Sequence, residues 1–280
     1  MSLPLLLGSE GQVGGELRRM GGFAVLPRAE ADMRDTPAVR RAVLSRRPSV
    51  VVNCAAYTAV DRAESEPELA LAVNRDGPAA LADACAELDI PLIHLSTDYV
   101  FDGARPDAYG EDDATRPLSV YGASKLAGEH EVRARLARHV VLRTAWVFSP
   151  RRDNFVRSML KLAGRPELSV VDDQRGCPTA AVEVARAVRS MVAAMAVGHG
   201  RWGTFHFCGW PAVSRFAFAE AIFAARGGGP RLRPITTEAY PLPARRPANS
   251  ALDCGKVLAA YGIAQPDWRT SLKAIIGDPS

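Results

Sequence analysis

The sequence predicts an α/β protein built on a doubly wound parallel sheet, with a smaller α/β lobe towards the C-terminus. Two observations predict the sheet. Short continuous apolar runs alternate with helical stretches through the first half of the chain, and a glycine-containing turn at residues 8–14 follows the first run. Continuous apolar strands are typical of parallel sheets, which are buried on both faces. Strand–helix alternation with right-handed crossovers then gives a doubly wound sheet.

The expected elements of the first half follow this alternation. In chain order they are a strand at 5–7, a helix through Leu17, a strand at 23–26, a helix at 36–45, a strand at 50–52, an alanine-rich helix at 79–87, a strand at 92–95, a helix that begins near Tyr121, and a strand at 140–142. Each expected strand is a short apolar run, and each expected helix separates two such runs.

The second half is less regular. Its expected elements are a helix at 154–162, a strand at 168–171, a helix at 181–194, a strand at 204–207 and a helix at 216–225. Three prolines fall within residues 240–247, and because proline interrupts regular helix we expect an ordered loop there.

The composition excludes several classes of protein. The 48% hydrophobic and 24% charged residues are those of a soluble globular chain. The net charge of +4 is spread out, without a basic run that contains aromatic residues, so we expect no nucleic-acid partner. The first residues lack the basic segment of a secretion signal, and no apolar run reaches the ~20 residues of a membrane span. Five scattered cysteines without a CxxC motif predict a reducing cytoplasm.

The glycines at 8, 11 and 14 follow a predicted strand and open a predicted helix, which is the context that a dinucleotide-binding turn requires. A helix N-terminus supplies amide donors and a positive dipole end to a pyrophosphate. The predicted contacts are Gly8, Gly11, Gln12, Val13 and Gly14. Because the spacing is GxxGxxG rather than GxGxxG, a purely structural turn remains the alternative.

The residue that would contact the adenosine ribose lies about 20 positions further on, at the end of the second strand. Arg28 occupies this place, where an NAD-specific site would have an acid. An arginine can bind a 2′-phosphate, so the sequence favours NADPH. Glu30 and Asp32 are close enough to leave NADH possible, and Asp32 and Met33 complete this side of the predicted site. A surface charge is the alternative role for Arg28.

Tyr121 and Lys125 lie four residues apart at the predicted start of a helix and therefore on one face of it. A nearby ammonium group favours phenolate and is expected to lower the tyrosine pKa from about 10. A tyrosine so tuned can exchange a proton with a carbonyl or alcohol oxygen. Only four of the 35 basic residues are lysine, so Lys125 is an unusual choice for a plain surface cation.

Two further segments follow predicted strands and should reach the same sheet edge, where doubly wound sheets bind ligands. The small residues Ala55 and Ala56, followed by Tyr57, allow close approach of a cofactor. Thr97 ends the fourth strand, and its hydroxyl can hydrogen-bond a substrate oxygen. The alternative role for Thr97 is to cap a turn. His94 and His206 lie in apolar runs and are expected to be buried, hydrogen-bonded core residues rather than metal ligands.

Together these segments resemble the extended short-chain dehydrogenases, which have GxxGxxG and Thr/Ser…YxxxK, and within that group the dTDP-4-dehydrorhamnose reductase family. The most specific segments are Ala-Ala-Tyr-Thr-Ala-Val-Asp at 55–61, Ser-Thr-Asp-Tyr-Val-Phe at 96–101 and Arg-Pro-Ala-Asn-Ser at 246–250. The resemblance implies a Rossmann fold and the NAD(P)H-dependent reduction of the C4 ketone of dTDP-4-dehydro-L-rhamnose to dTDP-L-rhamnose.

The resemblance also assigns residues. By position, the catalytic triad of the family matches Thr97, Tyr121 and Lys125. Six further positions match residues that the family places around the dTDP-sugar: Asp98, Tyr99 and Trp146 beside the sugar, and Arg246, Asn249 and Ser250 towards the nucleotide. Some family members bind Mg²⁺ between two subunits through paired carboxylates. Glu16 matches the first carboxylate, but the second position holds Val182, with Glu183 one residue away, so a metal-linked dimer is doubtful and no metal ligand is assigned.

These predictions divide the chain into a cofactor-binding part, residues 1–149 with 179–202, and a substrate-binding lobe, residues 150–178 with 203–280. We expect a monomer or homodimer.

Two alternative functions stay open. A relative of the family, the regulatory β subunit of methionine adenosyltransferase, keeps the cofactor fold but acts as a binding partner. A reductase of another dTDP-4-keto sugar would differ little in sequence.

Overall fold

A computed structural model describes residues 2–277, which form twelve strands and eleven α-helices. The strands are β1 (Leu5–Leu7), β2 (Ala24–Leu26), β3 (Val51–Asn53), β4 (Leu92–Thr97), β5 (His139–Thr144), β6 (Val147–Phe148), β7 (Glu167–Val171), β8 (Arg175–Gly176), β9 (Thr179–Ala180), β10 (Gly203–His206), β11 (Val213–Ser214) and β12 (Arg231–Ile235). The helices are α1 (Gln12–Met20), α2 (Thr36–Arg46), α3 (Val60–Ala63), α4 (Pro67–Leu71), α5 (Gly77–Glu87), α6 (Val120–Arg135), α7 (Phe155–Lys161), α8 (Ala181–Ala196), α9 (Arg215–Arg226), α10 (Gly255–Tyr261) and α11 (Trp268–Gly277).

The central element is a six-stranded sheet in the order β10-β5-β4-β3-β1-β2, in which every neighbouring pair is parallel. The order reverses beside β1, as in a doubly wound sheet, so the predicted fold class is confirmed. Because all six strands run the same way, their carboxyl ends lie at one edge. That edge is where open α/β sheets bind ligands.

Alternate residues of the strands face two separate apolar cores. Leu6 packs in the core that contains Val188 of α8, whereas Leu5 and Leu7 pack in the core that contains Val39 of α2. Helices α1 and α8 contact each other over the first face, and α2 and α5 contact each other over the second. All three residues of β1 are buried, which is why the strand is a continuous apolar run rather than an alternating one.

The smaller part of the protein packs around a third core. It contains helices α7, α9 and α11 and the parallel pair β7 and β12. Phe218 of α9 lies at its centre, with its ring 5.5 Å from that of Phe155 and 5.3 Å from that of Trp268. The proline-rich stretch 240–247 has no helix or strand, as expected.

One expected element is placed differently. The strand expected at 204–207 was assigned to the substrate-binding lobe, but β10 pairs in parallel with β5 and forms the edge of the central sheet. Strand β5 has a free hydrogen-bonding edge on the side away from β4, and β10 pairs with that edge. The sequence of residues 203–280 alone does not reveal this partner. The rest of the proposed division stays a prediction, and Met1 and residues 278–280 lie outside the described residues.

Two smaller differences concern the helices. Helix α5 begins at Gly77, directly after a π-helical turn at Ala72–Asp76, rather than at residue 79. A short 3-10 turn at Asp98–Val100 follows β4 and carries two of the predicted substrate residues. Within residues 2–277 there is no helix with the length and apolar character needed to cross a membrane.

Candidate active site

The turn between β1 and α1 has no space for a side chain at Gly8 or Gly14. Gly8 has a φ of +74°, and a Cβ atom placed there would lie 2.4 Å from the amide nitrogen of Ala55. A Cβ atom on Gly14 would lie 2.2 Å from the carbonyl oxygen of Gly8. Helix α1 begins after Gly11 with no side-chain cap and no acid in its first turn. The free amides and positive dipole end therefore fit a pyrophosphate, and cofactor binding at this turn stays a prediction.

Two residues of this turn have roles that the sequence did not reveal. The side chain of Val13 is buried in the core, so only its backbone can face a cofactor. Gln12 connects the start of α1 to the segment around β6: its Nε2 atom donates to the carbonyl of Val147 at 3.2 Å, and its Oε1 atom accepts from Ser149 at 2.8 Å and from Asn154 at 3.0 Å. These bonds hold the glycine turn against the smaller part of the protein.

The predicted adenosine side lies after β2, at the far end of the same sheet edge. The carboxylate of Asp32 accepts from Arg28 at 2.9 Å and from Arg34 at 2.8 Å. These bonds, that of Arg34 above all, hold the pKa of Asp32 well below its usual range. Arg34 was not predicted. The sequence shows it only as one more basic residue, two positions after Asp32. Met33 is 5% exposed and packs against Gly77, so its side chain belongs to the core rather than to the surface of a cofactor site.

The predicted substrate residues after β4 converge on the start of α6. The Thr97 hydroxyl donates to Asp98 Oδ1 at 3.0 Å and accepts from the amide of Tyr99 at 3.2 Å, so it also caps the turn. The rings of Tyr99 and Tyr121 meet edge to face, with centroids 5.9 Å apart. Helix α6 begins after Ser119, whose hydroxyl accepts from the Gly122 amide at 3.2 Å and thereby positions Tyr121 in the first turn.

Burial raises the pKa of Tyr121 above its usual value, and the neighbouring Thr97 hydroxyl only partly opposes this effect. The expectation of a lowered pKa for Tyr121 is therefore wrong, because the net shift is upward. The physical reason is that removal of the phenol from water penalises phenolate, and the nearby Asp98 and Tyr99 raise the pKa further. A raised pKa keeps the phenol protonated at neutral pH, which is the state needed to donate a proton.

Lys125 is 2% exposed and points into a polar pocket beneath α6. Its Nζ atom donates to the carbonyl of Leu95 at 2.7 Å and lies 3.4 Å from His94 Nε2. Burial lowers the pKa of Lys125 to about 8, and the carboxylate of Glu129 one turn along the helix opposes this. His94 is fully buried and contacts Asn53 at 3.0 Å, and burial lowers its pKa, so it is the neutral core histidine that was expected.

A buried ion pair supports the catalytic helix from below. Glu129 of α6 accepts from Arg143 of β5 through two bonds of 2.9 and 2.7 Å and from Ser96 of β4 at 2.6 Å. Both charged side chains are almost completely buried. A paired and fully hydrogen-bonded arrangement avoids the cost of an isolated buried charge, and it connects α6 to both strands at the position of Lys125.

A carboxylate and a guanidinium group, those of Asp98 and Arg215, lie close to Tyr99. Asp98 is buried, its Oδ2 atom has no partner among the described residues, and burial raises its pKa to about 6, with the Ser250 hydroxyl opposing the shift. Arg215, the first residue of α9, stacks on Trp146 with its guanidinium carbon 3.5 Å from the ring centroid. Trp146 itself lies directly against Gly176. Arg215 was not predicted, because nothing local distinguishes it from the other arginines.

The side chains of Arg246 and Asn249, which were predicted to lie towards the nucleotide, already form hydrogen bonds with other residues of the protein. Arg246 forms a bidentate ion pair with Asp61, at 3.0 and 2.7 Å, and this bond lowers the pKa of Asp61. The Asn249 side chain donates to the carbonyls of Arg105 and Asp107, both at 2.9 Å, and so holds the preceding loop. These contacts give Arg246 and Asn249 structural partners and leave Arg215 as the less constrained cation.

The carboxylates considered for a metal have other partners. Glu16 pairs with Arg19, and Glu183 pairs with Arg186 at 2.7 Å and accepts from Ser271 at 3.2 Å. Among residues 2–277 no three His, Cys, Asp or Glu side chains are arranged to hold a metal ion.

Comparison with known proteins identifies the family. The model of the RmlD substrate binding domain matches residues 2–279. A dTDP-4-dehydrorhamnose reductase of Sinorhizobium fredii is 45% identical over 258 residues, which are 90% of this chain and 87% of that protein. This chain belongs to the dTDP-4-dehydrorhamnose reductase family.

Solved structures of this family agree with the fold. A dTDP-4-dehydrorhamnose reductase of Clostridium acetobutylicum superposes with a TM-score of 0.91 at 36% identity, over 98% of each chain. One from Bacillus anthracis, in complex with NADP, also has a TM-score of 0.91, at 32% identity over 98% of this chain and 99% of that one. The predicted family and the Rossmann-type fold are thus confirmed.

Proposed function

We propose that this protein reduces the C4 ketone of dTDP-4-dehydro-L-rhamnose to dTDP-L-rhamnose with NADPH. The observation that supports the proposal is that Thr97, Tyr121 and Lys125 lie together at the end of β4, on the same sheet edge as the glycine turn. Such a site would hold a proton donor and a buried amine where a doubly wound sheet binds its cofactor. Membership of the family, whose named relatives are reductases of this sugar, supports the same assignment.

The cofactor would lie across the sheet edge, with its pyrophosphate at Gly8, Gly11 and Gly14 and its adenosine ribose near Arg28 and Arg34. When bound, NADPH supplies the hydride. The two arginines favour a 2′-phosphate, although both already contact Asp32, and that carboxylate would have to share them. Backbone atoms of Cys54 and Ala55 pack beside Gly8, and Ala55, Ala56 and Tyr57 would line the same groove.

The protonation step is assigned to Tyr121. Its phenol is protonated at neutral pH, because burial raises its pKa, and it can donate a proton to the alkoxide oxygen that forms at C4. Thr97, at the end of β4, can hydrogen-bond the same oxygen. Lys125 lies below Tyr121 and is assigned to the nicotinamide ribose. Removal of such a donor or acid costs about 10²–10⁴ in rate.

The sugar is assigned to the pocket formed by Asp98, Tyr99 and Trp146, with Ser250 at its edge. The unpartnered Oδ2 atom of Asp98 can accept a hydrogen bond from a sugar hydroxyl, which would satisfy a buried polar atom. Arg246 and Asn249 would act at the nucleotide end, mainly by holding the segment that closes this pocket.

The direct test is NADPH consumption with dTDP-4-dehydro-L-rhamnose, followed by NMR of the product. The expected result is dTDP-L-rhamnose formed with one NADPH oxidised per turnover. Two other outcomes would contradict the proposal. NADPH binding without turnover of any dTDP-4-keto sugar would indicate a regulatory binding subunit. Turnover of a different dTDP-4-keto sugar, but not of this one, would identify another reductase.

The matched control is Tyr121→Phe, which keeps the ring that packs on Tyr99 and removes only the hydroxyl. This variant should bind NADPH as the unmodified protein does and show almost no turnover. Retention of more than a tenth of the activity would remove Tyr121 from the proton-donor role.

A further inference from the structure

Arg215 differs from the other cations around the pocket by what surrounds it. Its guanidinium group lies 3.5 Å from the centroid of the Trp146 ring and 5.2 Å from that of Phe155. The side chain is partly buried in an aromatic pocket rather than extended into water. A guanidinium group can stack on an aromatic face while its N–H groups remain available at the edge of the plane.

No carboxylate within residues 2–277 forms a salt bridge with Arg215. The nearest acid is Asp98, which interacts with it at longer range and whose Oδ2 atom has no partner. Arg246, in contrast, forms a bidentate ion pair with Asp61. Arg215 and Arg246 both approach the Tyr99 hydroxyl, so two guanidinium groups converge on one point of the pocket wall.

A partly buried cation without a counter-charge is costly, because burial removes water that would otherwise solvate the charge. Two cations that face one hydroxyl make the region still more positive. The arrangement is favourable once an anion with several oxygen acceptors enters, since a guanidinium group forms paired hydrogen bonds with such anions. The geometry therefore points to a phosphate group as the missing counter-charge.

We propose that Arg215 binds the diphosphate of the nucleotide-sugar substrate, on the phosphate attached to the sugar. This inference rests on the proposed function, which makes the ligand a nucleoside diphosphate sugar. The position fits that phosphate, because Arg215 stacks on Trp146 and lies near Asp98, the two residues assigned to the sugar. Arg246, held by Asp61 on the other side of Tyr99, would flank the same diphosphate further towards the nucleoside.

The stacking gives Arg215 a second effect on the site. Trp146 has a φ of 43°, and its ring lies between the Arg215 guanidinium group and Gly176. A phosphate bound to Arg215 would thus hold the indole in place beside the sugar. Binding energy from the diphosphate would in this way orient the reacting ketone.

The test compares the binding of dTDP and of thymidine by titration calorimetry, since the two ligands differ only in the diphosphate. Arg215→Met keeps an apolar chain over Trp146 and removes the charge, whereas Arg215→Lys keeps a charge without the planar fork. Arg226→Met is the matched control, because Arg226 is at the other end of the same helix and bonds only the carbonyl of Gly228. NADPH binding is measured in each variant to verify that the fold is retained.

The expected result is a Kd for dTDP that rises about 10- to 100-fold in Arg215→Met, as for loss of a hydrogen bond to a charged group. The Kd for thymidine should stay unchanged, Arg215→Lys should be intermediate, and Arg226→Met should resemble the unmodified protein. An unchanged Kd for dTDP in Arg215→Met overturns the inference. Equal weakening of dTDP and thymidine also overturns it, since Arg215 would then only support Trp146 or neutralise Asp98. If the unmodified protein binds neither ligand, the proposed function itself fails.

Discussion

Replacement of Gly122 by alanine is expected to reduce both stability and turnover, because no methyl group fits between helix α6 and the turn after β4. A Cβ atom at Gly122 would lie 2.2 Å from the carbonyl oxygen of Tyr99 and 3.0 Å from Pro117 Cβ. To restore an ordinary contact, which starts at 3.4 Å, α6 and the turn must separate by about 1.2 Å. The residue before Gly122 is Tyr121, so the separation acts directly on the proposed proton donor.

The magnitude follows from two independent effects. Overpacking of a dense interior costs about 1–3 kcal/mol, which for a chain of this size corresponds to a fall in Tm of roughly 3–10 °C. A displacement of about 1 Å in an active site can reduce the rate about 100-fold. We therefore expect kcat to fall about 100-fold. Well below Tm the lower stability would barely change the folded fraction, so it cannot account for a loss of this size.

Thermal unfolding followed by circular dichroism, together with steady-state turnover, measures both effects. Gly15→Ala is the matched control, since Gly15 is also in a helix but a Cβ atom there has its nearest contacts at 3.7 Å. That variant should be stabilised by about 0.5–1 kcal/mol, as expected when alanine replaces a helical glycine. A Gly122→Ala protein with unchanged Tm and kcat would refute the argument that this close approach positions Tyr121.

Three other predictions concern single side chains. Tyr121→Phe should lose nearly all turnover and keep its Kd for NADPH, as measured by fluorescence titration. Burial raises the pKa of Asp98 from 3.8 to about 6, so its stabilising effect is complete below pH 4 and is lost as the pH rises through 6. Relative to Asp98→Asn, the free energy of unfolding should therefore fall by about 2 kcal/mol between pH 4 and pH 7 in denaturant titrations. Arg28→Ala should weaken NADPH more than NADH, by about 1.5–3 kcal/mol.

Each of these has a contrary outcome. Parallel loss of cofactor binding in Tyr121→Phe would indicate a structural role for the hydroxyl. A stability difference for Asp98→Asn that does not vary with pH would mean that the carboxyl is not desolvated. Equal effects of Arg28→Ala on both cofactors, or none, would leave Arg34 as the residue that distinguishes them.

The parts of this protein that were predictable from sequence are those specified by neighbouring residues. The apolar runs of β1, β3 and β4, the glycine turn and the helix with Tyr121 and Lys125 each depend on a few consecutive side chains. The edge strand β10 was misplaced because its position depends on pairing with a strand about 60 residues earlier, and its own residues do not record that partner.

The site was predictable to a similar extent. Motifs identified the residues, but not what they contact. The partner of Arg246 is Asp61, 185 residues away, and the position of Arg215 over Trp146 depends on how the third core folds. The pKa of Tyr121 could not be read from the YxxxK spacing, because it is dominated by burial.

The late position of β10 in the chain has a consequence for synthesis on the ribosome. Strand β5 gains its outer neighbour only when residues 203–206 have emerged, after β6 to β9 and α7 have already been made but before α9 and α11, which complete the third core. Until then the buried edge of β5, which carries Arg143, is open to pairing with another chain. Nascent chains that stall before about residue 206 should therefore be the forms of this protein that depend most on chaperones.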